Sequence, residues 1–162
     1  MKQTRVQLPS MTIVGLHVST SNAAEMDPGQ AQIGVTAQRY FGEQWAEKIA
    51  HRKNPGVTYA VYTAYESDVH GPYTYVIGEA VTKVETLPER LKAFKISAQT
   101  YTKFTTEPGV MPHVVIAAWQ EIWQMTEIEL GGPRGYRGDF ELYDARACDP
   151  QKTVIDLYIG VK

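Results

Sequence analysis

Two runs near the C-terminus, DFELYD at 139–144 and TVIDLYIGV at 153–161, combine strand-forming residues with a carboxylate at their centre. Side chains along a strand alternate between its two faces. Glu141 therefore shares a face with Tyr143, and Asp156 shares one with Tyr158, while Phe140 and Leu142, or Ile155, Leu157 and Ile159, take the other. A carboxylate walled by tyrosine rings on a concave surface attracts cations, because aromatic faces add negative potential. Desolvation in such a place raises a carboxyl pKa until a cation arrives. The same group could instead act as a general base on water, helped by tyrosine hydroxyls.

Other chemistries find no support. The chain has no HExxH, CxxC, GxSxG or phosphate-loop motif. His17, His51, His70 and His113 lack metal-ligand spacing, so no metal and no cofactor is expected, and no catalytic residue is assigned. The lone Cys148 has no intramolecular partner for a disulfide, in keeping with a reducing compartment. Net charge is −2 with no Lys/Arg stripe, which argues against direct nucleic-acid binding. No stretch of 18 apolar residues and no secretory signal is found, so the expected home is the cytoplasm and not a membrane. Hydrophobic residues make up 43% of the 162, enough for a core, and 10 are tyrosine.

The elements that must hold these residues follow from periodicity. Residues 11–20 read as a strand, and 33–50 as a helix with Val35, Tyr40 or Phe41, Trp45 and Ile49 near helical spacing. VTYAVYTAYE and YTYVIGEAV form a hairpin around SDVHGP. The pattern then begins again. FKISAQTYTKFTTE is strand-like, 111–125 is helical with Trp119 and Trp123 four apart, and two strands follow. The expected fold is α+β: two β-α-β-β repeats, halves 1–85 and 90–162 of a single 1–162 domain. They would be related by a pseudo-two-fold axis, with antiparallel sheets and a groove between them.

Aligning the halves places Tyr59–Tyr62 on Phe140–Tyr143, and Asp68 on Asp149. Ala60 and Tyr62 then face the same way as Glu141 and Tyr143, and the small Ala60 leaves room beside the carboxylate. The fully apolar sets are expected to pack on the helices, as are Tyr59, Val61 and Tyr65. The mixed set of Glu141, Tyr143, Asp156 and Tyr158 is expected to face the groove. Trp119 and Trp123 read first as core, with one of them as an end wall of the pocket.

The passages TIVGL, TYAVYTAYESDVHGPYTYVIGEAV, AAWQEIW and DFELYD…VIDLYIGVK together resemble the GyrI-like small-molecule-binding domain, the effector-binding part of AraC-type and MerR-type multidrug-responsive transcription regulators. The resemblance implies the duplicated fold, and it implies that Glu141 is the central contact for lipophilic, often aromatic, cations. It also implies groove tyrosines at Tyr143 and Tyr158. The regulators carry a DNA-binding domain ahead of this module. Here the chain begins with the module, so a stand-alone binder is expected. Two roles rank below binding: a hydrolase of reactive electrophiles with Glu141 as general base, and a gyrase-protecting interaction module. A homodimer and a separate protein partner both stay open.

Overall fold

The computed structural model of the chain describes residues 1–67 and 70–162. Its strands are β1 (Lys2–Leu8), β2 (Met11–Thr20), β3 (Thr58–Thr63), β4 (Tyr73–Val81), β5 (Lys92–Ile96), β6 (Gln99–Thr105), β7 (Gly138–Tyr143) and β8 (Asp156–Val161). The helices are α1 (Asn22–Glu25), α2 (Ile33–Gly42), α3 (His113–Trp123) and α4 (Glu127–Leu130). Among the described residues no helix is long and apolar enough to cross a membrane.

Several sequence expectations change at element ends. The helix expected over 33–50 stops at Gly42; Gln44 adopts a left-handed φ of 54°, and a 3-10 turn, Trp45–Lys48, follows. The single strand expected at 94–107 is two, broken at Ser97-Ala98, and β1 had no counterpart in the periodicity. The loop expected at 126–138 contains α4. Its start is a reciprocal cap in which the Glu129 N–H donates to the Thr126 hydroxyl and the Thr126 N–H donates to the Glu129 carboxylate. Asp68, aligned above with Asp149, lies outside the described residues.

All neighbouring strands are antiparallel, in the order β1-β6-β8-β7-β3-β4-β2-β5. The α+β duplicated architecture is therefore present, but the two halves share one continuous sheet. Read from either edge the order is equivalent, β1-β6-β8-β7 against β5-β2-β4-β3. Each β-α-β-β unit lends the strand before it to the other half. At the centre Val61 of β3 stands opposite Phe140 of β7, flanked by Ala60 opposite Glu141 and Tyr62 opposite Asp139. A two-fold axis through that pair matches Tyr62 to Glu141 and Ala60 to Asp139, two residues away from the alignment made on sequence alone.

Two short links force the sheet to curl. β1 and β2 are six strand positions apart, about 29 Å across a flat sheet. Only Pro9 and Ser10 join them, a reach of about 11 Å from Leu8 to Met11. Ser97 and Ala98 impose the same limit on β5 and β6. The edges must come round toward each other, enclosing one sheet face. That inner face holds Ile13, Val61, Val76, Ile96, Tyr101, Phe140 and Tyr158, with Tyr59 and Leu142 against them. Phe140 and Tyr158 stack at 4.4 Å between centroids. Gly15 and Gly78, paired between β2 and β4, approach so closely that a Cβ on either would collide with the other strand's backbone.

The outer face carries the helices. Tyr40 of α2, Trp45 and Ile49 pack on Val14, Leu16, Tyr75 and Ile77. Ala118, Trp119 and Ile122 of α3 pack on Phe104, Leu157 and Ile159. Each such fully buried apolar side chain contributes about 1.5–3 kcal/mol.

Candidate functional site

Glu141 faces the helices, the reverse of the sequence expectation. Phe140 and Leu142, expected to pack on helices, belong to the enclosed inner face with Tyr59 and Val61. The alternation along β7 is the expected one, but the helices cover the opposite face from the one expected. β7 and β8 pair with Glu141 opposite Leu157 and Phe140 opposite Tyr158. Residues opposite each other share a face. Tyr158 and Asp156 therefore lie on the side of the sheet away from Glu141, and they are removed from its surroundings. Asp156 is committed elsewhere: Arg146 donates to it at 2.6 Å, the Thr105 hydroxyl at 2.7 Å, and Lys103 lies 3.8 Å away.

The remaining residues converge. Ala60, with almost no exposed surface, sits directly across from Glu141. The Tyr62 hydroxyl donates to Glu141 Oε2 at 2.6 Å, the Trp119 indole N–H to the same oxygen at 2.7 Å, and the Tyr143 hydroxyl to Oε1 at 2.6 Å. Tyr62 comes from β3, Trp119 from α3 and Tyr143 from Glu141's own strand. Tyr62 and Tyr143 touch the apolar clusters under both helices, so the carboxylate lies in the seam between the two halves. Trp123 lies one helical turn beyond Trp119, with ring centroids 6.1 Å apart, and is 50% exposed. Trp119 thus contacts Glu141 directly and Trp123 stands on the solvent side of it.

Two participants went unnoticed in the sequence. Tyr75 and Tyr73 of β4 bring their rings within 5.5 and 5.7 Å of Tyr62. The hairpin pairing of Tyr62 with Tyr75 was the signal that could have found Tyr75. Tyr65, expected on the helix side with Val61, donates to Asp139 at 2.6 Å.

Electrostatics set Glu141 apart. It is 4% exposed. Burial pushes its carboxyl pKa up, and the hydrogen bonds from Tyr143, Tyr62 and Trp119 bring it only part of the way back. Burial, and then the Glu141 charge, also hold the Tyr62 and Tyr143 hydroxyls well above the usual phenol range, so both stay protonated donors. The other buried carboxylates each have a basic partner. Asp139 has Arg134, Asp156 has Arg146 and Lys103, and Glu79 has Arg52. Among the described residues no Lys, Arg or His pairs with Glu141. Nor does any group of three or more His, Cys, Asp or Glu among them come together to hold a metal.

Comparison with known proteins gives consistent matches. Residues 5–161 match the model of the Cass2 family, integron-associated effector binding proteins. The chain is 28% identical over 148 residues to YobU of Bacillus subtilis (strain 168), whose name assigns it to transcriptional regulation, covering 91% of this chain and 90% of YobU. It is 28% identical over 158 residues to the transcriptional regulator BrlR of Pseudomonas aeruginosa, covering 96% of this chain but only 54% of BrlR. Among solved structures, the integron cassette protein VCH_CASS2 of Vibrio cholerae superposes with a TM-score of 0.76 at 26% identity, covering 99% of this chain and 95% of that one. SAV2435, solved bound to tetraphenylphosphonium, superposes with a TM-score of 0.76 at 20% identity, covering all of this chain and 94% of its own, and shares the fold.

Proposed function

This chain belongs to the Cass2 family of integron-associated effector-binding proteins, and from that premise we propose that its effectors are lipophilic organic cations held against Glu141. The observation that carries this reading is the missing counter-charge. A buried carboxylate without a cation is costly, and evolution ordinarily supplies an arginine or lysine, as at Asp139 and Asp156. At Glu141 three neutral donors orient the charge but leave it uncompensated.

A cation without N–H groups suits the site, since both carboxylate oxygens already accept hydrogen bonds. Such a guest gains charge pairing, contact with ring faces and apolar burial together. Tyr62, Tyr75, Tyr143 and Trp119 supply the rings, and half-exposed Trp123 marks the side from which a guest enters. Tyr62, Tyr143 and Trp119 close over the carboxylate, so binding proceeds by side-chain rearrangement around Trp119 and Tyr62. SAV2435, with its bound tetraphenylphosphonium, supports the choice of ligand class.

The test is a titration with tetraphenylphosphonium followed by quenching of tryptophan fluorescence. Glu141→Gln keeps the shape and removes the charge. The expected loss is about 1–3 kcal/mol of affinity, roughly 5- to 150-fold, with no change for a neutral analogue such as triphenylphosphine oxide. Equal affinity of both proteins for the cation would overturn the reading. At 100 times its Kd the cation should stabilise the wild-type fold by about 2.7 kcal/mol in chemical unfolding.

A further inference from the structure

A second carboxylate on the helix-bearing side of the sheet has different needs. Glu79 of β4 is 1% exposed and lies beneath the C-terminal end of α2. Strand spacing puts it about 12 Å from Glu141, two strands across and two residues along. It borders a cavity of about 330 Å³ lined also by Tyr40, Phe41, Gln44, Glu47 and Arg52.

Three features distinguish this cavity from ordinary packing. Glu79 Oε1 and the Tyr40 hydroxyl, both buried, have no hydrogen-bond partner among the described residues. The other Glu79 oxygen is only loosely held, with Arg52 at 3.5 Å and the Gly56 N–H at 3.4 Å. Gln44, on the cavity wall, holds a left-handed φ of 54° that favours glycine. Burial of a polar atom without a partner forfeits its hydration with nothing in return. Two such atoms on one cavity wall, beside a strained residue, are expected of a binding site and not of a finished core.

The geometry points to this cavity as a second ligand site, selective for small cations that carry N–H groups, such as primary ammonium or amidinium ions. An N–H donor meets the open Glu79 Oε1, and the Tyr40 oxygen offers a second acceptor beside it. The titratable and charged groups facing the space are Glu79 and Tyr40, with Glu47 and Arg52 at its border. Two acids against one base leave it net negative at neutral pH. Phe41, largely exposed, provides an apolar wall for an aromatic amidine. Glu141 has donors on both oxygens and lacks only charge, whereas Glu79 has a nearby charge and one oxygen, Oε1, without a donor. The two sites therefore sort cations by whether they bear N–H groups.

Benzamidinium is the probe, titrated by calorimetry against the full chain, with tetraphenylphosphonium in parallel. Benzamidinium should bind the wild type. Glu79→Gln should weaken it about tenfold or more, and Tyr40→Phe by a smaller factor, while both variants bind tetraphenylphosphonium as the wild type does. Glu141→Gln should leave benzamidinium binding unchanged. Should Glu79→Gln fail to fold, as judged by circular dichroism, Tyr40→Phe carries the test alone, because losing one hydroxyl preserves the packing. Three outcomes overturn the assignment: no benzamidinium binding by the wild type, unaltered binding in whichever of these variants fold, or direct competition between the two cations. A crystal soaked in benzamidinium that shows only a water between Tyr40 and Glu79 overturns it as well.

Discussion

Asp139 and Glu141 lie two residues apart on β7, both buried and both bound by a tyrosine hydroxyl, yet they are built for opposite ends. Asp139 accepts from Tyr65 at 2.6 Å, from the Gly160 N–H at 2.7 Å and from the Arg134 guanidinium. It closes the β7–β8 ladder beyond Phe140 with a side chain, and its charge is neutralised inside the protein. Glu141 has as many donors but no neutralising charge. Hydrogen bonds orient a carboxylate; only a cation balances it. On the function proposed above, a buried acid that is oriented and left unbalanced awaits a partner from outside.

That contrast can be broken most sharply at Asp139. Asp139→Asn leaves the largely but not fully buried Arg134 without its anion, and the fold should lose about 3–5 kcal/mol in denaturant unfolding. A loss as small as that of Glu141→Gln would mean that the two acids are equivalent after all.

Glu141→Gln should spare the fold while costing affinity, and pH sharpens the point. The folded-state pKa of Glu141 lies above its unfolded value. Its contribution to stability is fully present below the unfolded pKa and is lost as pH rises through the raised folded one. The Tm of Glu141→Gln relative to wild type should therefore climb across that window. Tetraphenylphosphonium affinity of the wild type should fall as pH drops through the same raised pKa, because protonation removes the charge that the cation needs. Asp156 runs the other way. Burial acts to raise its pKa, but Arg146, Thr105 and Lys103 hold it below the ordinary value. Its contribution is present above the unfolded pKa and is lost as pH falls through the depressed folded one. Asp156→Asn should accordingly flatten the acid limb of the Tm profile.

Trp119→Phe removes one of the three donors and keeps most of the ring. About 1 kcal/mol of stability should go, measured by chemical unfolding. The smallest effect belongs to Tyr158→Phe. Since Tyr158 lies on the far side of the sheet, tetraphenylphosphonium affinity should stay within about twofold of wild type. A tenfold loss would return Tyr158 to the site.

The sequence was most informative where a short-range rule governed the outcome. Parity along single strands grouped Ala60 with Tyr62 and Glu141 with Tyr143, and the resemblance singled out Glu141. The spacing of Trp119 on its helix identified it as inward-facing. Reading failed where the answer depended on two segments at once. The relation of Tyr158 to Glu141 hangs on the β7–β8 register, and Tyr158 shifts sides with a single-residue step in it. Glu79 gave no signal, because the need for a donor arises only when α2 covers it.

By itself, then, the amino-acid order determined most of the strands, the duplication and which neighbours along each strand share a face, since these follow from backbone geometry with a period of two. Which of the two faces would lie under the helices was decided by tertiary structure alone. The two-residue links at Pro9-Ser10 and Ser97-Ala98 cannot span a flat sheet, so the sheet curls, encloses Phe140 and Tyr158, and leaves Glu141 beneath Trp119. Chain closure over that distance is a global constraint, and no local pattern of residues expresses it.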